Sequence, residues 1–226
     1  MNQRLSKRLA AEAVGTAMLL ATVVSSGIMG ERLAAGNLVL TLLANSIATG
    51  AVLCSLILIF IPISGAHFNP AVTLASAFRK EVAWADVPYY LGAQFLGAFT
   101  GVAIAHVMFS QALFSTSIRV RQGAAQVFAE FIATFGLLAV VLGCARFRPS
   151  VVAFAVGAYI TGASWFAAST SFANPAVTLA RGFTDTFAGI RPVDTPAFIL
   201  AQLGGAAVAT VFLKWLDSRN SSDNRP

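Results

Sequence analysis

A chain of 226 residues that is 57% hydrophobic and only 11% charged, with a mean hydropathy of +0.76, cannot present a water-soluble surface. Its net charge of +6 is scattered through short loops, not gathered into one basic stripe, which excludes a nucleic-acid partner and suits anchors for membrane lipid headgroups. Apolar stretches about 20 residues long recur throughout, the mark of an all-α integral membrane protein.

In chain order, the first span is expected at 9–29. It is full length and lacks a small-residue cleavage site, so it reads as a retained span and not as a cleaved signal peptide. The second span is expected at 38–61. The segment 69–78 that follows is too short to cross a bilayer. Spans at 87–109, 124–145 and 150–170 come next, then a second short segment at 174–183 and a sixth span at 196–216. Residues 217–226, "DSRNSSDNRP", form a polar tail expected to be disordered. Cys54 and Cys144 fall inside spans and read as buried apolar thiols, with no disulfide or metal site implied. With both termini on the cytoplasmic side, ten Lys and Arg residues face inward and five outward, in line with the positive-inside rule.

The two short segments open identically, "NPAVTLA" at 69–75 and at 174–180. The match extends further: "AEAVGTAMLLATVV" in the first span answers "AEFIATFGLLAVVLG" in the fourth, and "AQFLGA" in the third answers "AQLGGA" in the sixth. The chain is therefore read as one transmembrane domain, 1–226, built from repeats 1–115 and 120–216. Each repeat holds three spans, an odd number, so the second enters the membrane upside down relative to the first. Special segments of such repeats meet near the bilayer midplane.

Asn69 and Asn174 are good N-caps, and Pro70 and Pro175 suit the first helical position, where the missing N–H costs nothing. Each short segment then reads as a half-helix that enters the membrane and stops. Inversion brings two positive helix ends face to face, with Ala71 and Ala176 in their first turns. A file of water passing them, with both Asn amides donating to its oxygens, is turned at the centre, and cations and protons meet a barrier that neutral solutes do not.

The residues "SGAHFNPAVTLA" at 64–75, the second Asn-Pro-Ala at 174–176 and the paired Glu-bearing spans resemble the aquaporin, or major intrinsic protein, family over nearly the whole chain. The resemblance implies six tilted spans with two re-entrant half-helices in an inverted 3+3 repeat, a pore in each subunit and a homotetramer. It also implies passive flow with no cofactor, coupling ion or enzymatic activity. It assigns Asn69 and Asn174 to the central constriction, and Glu12 and Glu130 to buried structural positions that hydrogen-bond the re-entrant loops. Gln94 and Gln202 then read as interhelical polar contacts, and Gly92, Gly97, Gly101, Gly204 and Gly205 as close-packing positions. His67 reads as a satisfied loop histidine near the cytoplasmic vestibule.

Most members carry arginine after the second Asn-Pro-Ala; this chain carries Val177. Counting by the family's spacing puts the other filter positions at Thr49, Gly162 and Ser171, a wide constriction without arginine. Small neutral solutes larger than water are then expected to pass: polyols, urea and metalloid hydroxides such as arsenous acid. The stretch "NPAVTLARGFTDTFAGIRP" is similar to rhizobial-type bacterial members associated with arsenic resistance, which implies a bacterial inner-membrane location and passage of arsenite and methylated arsenicals. Arg181, one turn beyond Val177, either reaches toward the pore at the outer vestibule and partly replaces the missing charge, or packs against the outer loops or pairs with Asp185 at i,i+4. An ion- or proton-coupled secondary transporter, a non-conducting junction and a water-selective channel are the competing classes.

Overall fold

The computed structural model describes residues 4–220, and six of its helices are long and apolar enough to cross a membrane. These are α1 (Leu5–Leu33), α2 (Leu38–Ser64), α4 (Val87–Met108), α5 (Ala124–Phe147), α6 (Val152–Phe166, which reaches span length together with the 3₁₀ turn Pro149–Val151) and α8 (Thr195–Asn220). Two short helices, α3 (Pro70–Phe78) and α7 (Pro175–Ala180), stand between them. The matching pairs α1/α5, α2/α6, α3/α7 and α4/α8 follow one order in each half.

Local chemistry explains the ends. Asn37 caps α2, its Oδ1 accepting from the N–H groups of Val39 and Leu40 at 3.0 and 3.2 Å. The left-handed Gly65 (φ 92°) closes the same helix. Helix α6 stops at Phe166, four residues short of the expected 170, because the chain turns at 167–169 and runs on as an irregular loop to 174. Its residues Thr170, Ser171 and Ala173 have positive φ (64°, 54° and 48°), which no helix accommodates. The second half-helix is α-helical only to Ala180 and tightens into a 3₁₀ turn at Arg181–Phe183. At the C-terminus α8 runs on to Asn220, so 217–220 are helical where a disordered tail was expected; 221–226 lie outside the described residues.

Packing follows the repeat. Helix α1 lies against α2 and α4, and α5 against α6 and α8; α2 meets α6 across the repeats. The half-helices cross over, α7 contacting α4 and α3 contacting α8 as well as each other. Leu20, Val24, Ala98, Ala133, Leu138 and Ala209 are fully buried at the helix crossings. Leu38, Leu43, Ile47, Leu58, Phe128, Phe154 and Leu200 are exposed, an apolar belt suited to hydrocarbon.

Three of the five close-packing glycines are required by contact. A methyl group on Gly97 would overlap the Ala13 carbonyl oxygen, one on Gly101 the Ala17 carbonyl oxygen, and one on Gly205 the Phe131 carbonyl oxygen. Gly92 meets nothing within 4 Å and Gly204 only ordinary contacts to Phe131, so neither is a close approach. Gly97→Ala and Gly205→Ala should each cost about 1–3 kcal/mol through forced displacement of backbone. Gly92→Ala should hold or raise stability by helix propensity alone, by up to about 1 kcal/mol. Thermal melts of the purified variants in detergent check the contrast; equal losses at 92 and 205 would refute it. Cys54 and Cys144 are free and half-buried, not fully enclosed as expected.

Candidate functional site

The loops before α3 and α7 are built alike. Gly65, Ala66 and Phe68 have positive φ, as do their repeat partners Thr170, Ser171 and Ala173. This alternation turns the N–H groups toward the protein. Glu12, fully buried, accepts through Oε1 from His67 N (2.9 Å) and Ser64 Oγ (2.6 Å), and through Oε2 from Phe68 N (2.7 Å) and Gln94 Nε2 (2.8 Å). Glu130, also fully buried, accepts from Phe172 N (2.8 Å), Ala173 N (2.9 Å) and Gln202 Nε2 (2.6 Å). Gln94 and Gln202 each donate onward to the threonine of a half-helix, Thr73 at 2.8 Å and Thr178 at 2.7 Å. With the loop donors spent inward, the carbonyl oxygens of 65–67 and 170–172 take no hydrogen bond from the described residues. They are left to the cavity that these residues line.

The Asn-Pro-Ala segments meet at the centre. Asn69 Oδ1 accepts from Ala71 N at 2.9 Å, and Asn174 Oδ1 accepts from Ala176 N at 3.0 Å and Val177 N at 3.3 Å. Each amide nitrogen then crosses to the opposite repeat: Asn69 Nδ2 donates to the Ala173 carbonyl at 2.8 Å, and Asn174 Nδ2 to the Phe68 carbonyl at 2.7 Å. Of the two N–H groups on each amide, one is tied across and one is left for the cavity wall that both residues form. Pro70, Ala71, Pro175 and Ala176 are buried in the first turns behind them.

A cavity of about 290 Å³ runs past this centre. Glu81, Val82, Ser76 and His67 line one end, and Thr49, Ser164, Ser171, Val177 and Arg181 the other. Leu19, Val23, Leu53, Leu137, Val141, Val156 and Ile160 form an apolar wall. His67 Nδ1 lies 3.1 Å from Thr73 Oγ1, which holds the ring at the loop, while Ser64 serves Glu12.

Of the four filter positions, Thr49, Ser171 and Val177 line the cavity and Gly162 does not. Gly162 is exposed, and a methyl group there would meet nothing within 4 Å. The lining residues of α6 are Val152, Val156, Ile160 and Ser164, one per turn. At about 100° per residue, a position two past Ile160 faces roughly the opposite way. Ser164 stands on the cavity side instead, its Oγ bonded to the Ile160 carbonyl at 2.9 Å. The side-chain oxygens of Thr49 and Ser171 are buried without a protein partner.

Arg181 is 5% exposed and joins this lining while it packs against the flanking loops, as one of its alternatives expected; the ion pair with Asp185 does not form. Its Nε donates to the Ala188 carbonyl, and its guanidinium carbon lies 3.4 Å from the centre of the Phe172 ring. Asp185 is exposed and accepts from Ile118 N at 3.1 Å. The Arg181 guanidinium stays a cation, since arginine keeps its charge in proteins. Sequence reasoning missed Arg121, on the same ring at 5.0 Å. It donates to the Gly189, Ser169 and Phe187 carbonyls and to Thr170 Oγ1, and so staples the loops around α7. An arginine in the loop before α5 carries no periodicity that would have marked it.

A re-entrant pair of half-helices, cross-tied at Asn-Pro-Ala within six spans, defines a known architecture, and the model of the major intrinsic protein family matches residues 1–151. The chain belongs to that family. It is 51% identical, over 94% of its length and 91% of the relative's, to aquaglyceroporin AqpS of Rhizobium meliloti (strain 1021). It is 31% identical to aquaporin NIP6-1 of Arabidopsis thaliana over 93% of this chain and 70% of that one. The crystal structure of the aquaglyceroporin from Plasmodium falciparum superposes with a TM-score of 0.72 at 23% identity, covering 92% of this chain and 95% of the other, a likeness of fold.

Proposed function

We propose that this chain is a passive channel, not an enzyme, for small neutral solutes: glycerol- and urea-like molecules, water and metalloid hydroxides such as arsenous acid, with methylated arsenicals at the upper limit. The observation that carries the proposal is the cavity with one apolar wall and one wall of unspent carbonyl acceptors, passing both Asn amides. A neutral solute trades its hydration for these acceptors without leaving a charge unpaired. Thr49, Ser171 and Val177 form the outer constriction, with Ser164 in the place counted to Gly162. The likeness to AqpS supports the aquaglyceroporin class.

Glu12 and Glu130 argue against a coupled transporter. Both lie outside the cavity lining and spend their oxygens on loop N–H groups, so neither is free to carry a proton or bind an ion. In this proposal the chain assembles as a homotetramer in a bacterial inner membrane, both termini cytoplasmic, with its apolar belt against lipid and neighbouring subunits. The test is flux in proteoliposomes. Glycerol, urea and arsenous acid should move down their gradients without saturation, and pH or sodium gradients should not drive them. Uphill accumulation would overturn the channel reading, and absence of flux would favour a junction role.

A further inference from the structure

Val177 leaves the outer constriction without the arginine usual in this family, yet an arginine is present in the same wall. Arg181 follows Val177 by four residues, roughly 6 Å further along the helix axis. It is 95% enclosed but lines the cavity. A guanidinium has five N–H donors, and the described residues take one, through Nε to the Ala188 carbonyl. No carboxylate among the described residues pairs with it. Phe172 covers one face of the group and fixes its plane. The contrast with Arg121 is direct: there Nε, Nη1 and Nη2 are all committed to loop oxygens. A buried cation with its donors unspent beside a cavity is a built site, and two further polar groups stand in the same wall without partners, Thr49 Oγ1 and Ser171 Oγ.

We propose that Arg181 is a specificity-determining residue, supplying from one turn outward the positive charge and hydrogen-bond donors that position 177 lacks, and favouring neutral solutes with several acceptor oxygens. The inference rests on the channel reading above. Cations are repelled at the guanidinium, while anions that pass it meet the row of carbonyl oxygens at 170–172 and 65–67. Only a neutral solute suits both. With the charge displaced outward and valine at 177, a solute meets the donors before the narrowest part of the apolar wall. Polyhydroxy solutes can therefore exchange water for Arg181, Thr49 and Ser171 on entry.

The experiment compares wild type, Arg181→Gln and Arg181→Lys in proteoliposomes, measuring potassium and proton conductance beside water and glycerol flux. Arg181→Gln should raise cation conductance about tenfold or more and lower glycerol flux relative to water, as expected for loss of charge-assisted hydrogen bonds. Arg181→Lys should retain cation exclusion but lose glycerol preference, because one ammonium does not replace a planar fork of donors. Should Arg181→Gln not reconstitute, Phe172→Leu releases the guanidinium while keeping it and should raise cation conductance severalfold. Wild-type cation exclusion and glycerol-to-water ratio in the Gln and Lys variants, or in the Leu variant where it stands in, would overturn the inference. A wild-type protein that conducts neither water nor glycerol would instead defeat the channel reading.

Discussion

Val177→Arg should cut glycerol and arsenous acid flux by about tenfold or more, equivalent to about 1.4 kcal/mol on the barrier, while water flux falls far less. Val177 is 5% exposed on the cavity wall, so a longer side chain there has no lipid or loop to occupy and must enter the lumen. Its backbone N–H already bonds to Asn174 Oδ1 at 3.3 Å, which pins the start of α7 and keeps the new side chain on the same face. The incoming guanidinium would stand one turn from Arg181. The two like charges repel, so one must turn toward the unspent carbonyls and narrow the passage further. Stopped-flow measurement of water and solute flux in the same liposomes checks this. An unchanged solute profile would show that residue 177 does not lie at the constriction.

Glu130→Ala should be, with Glu12→Ala, among the most damaging single truncations in the membrane interior. It strips the acceptor from Phe172 N, Ala173 N and Gln202 Nε2 at once. Each buried donor left unmade costs about 1–3 kcal/mol. The sum is several kcal/mol, and a melting temperature lower by roughly 10 °C in detergent is expected for a chain of this size. Glu12→Ala should behave alike, since Glu12 holds His67 N, Phe68 N, Ser64 and Gln94 in the same way. The measurement is thermal unfolding together with flux. A variant that keeps its melting temperature but loses pH-driven uptake would mark these acids as proton carriers instead.

Much of this was legible in the sequence because a repeated motif is a repeated contact. The pairs Glu12/Glu130, Gln94/Gln202 and Asn69/Asn174 stand at like places in both halves, and their hydrogen bonds duplicate one another. Counting along the chain failed where backbone conformation changes the phase. A residue in a helix turns about 100° from its neighbour, so reaching Gly162 from Asn174 across a loop with three left-handed residues carries no reliable face. Arg181 was undecided for a different reason. Its acceptor, the Ala188 carbonyl, and its ring, Phe172, come from segments on either side of α7, and no local pattern announces a contact made by loops. The close glycines divided in the same way: which of them touches a carbonyl depends on the neighbouring helix, not on its own.

The crossed amides at the centre bear on how such a chain is made. Asn69 must find the carbonyl of Ala173, and Asn174 that of Phe68, across more than 100 residues of sequence. Neither half supplies both partners of either tie, so the central contacts of each half are complete only when the other is in place. The cavity wall at the centre is therefore joint work of both repeats, and a product ending before the second Asn-Pro-Ala lacks half of it.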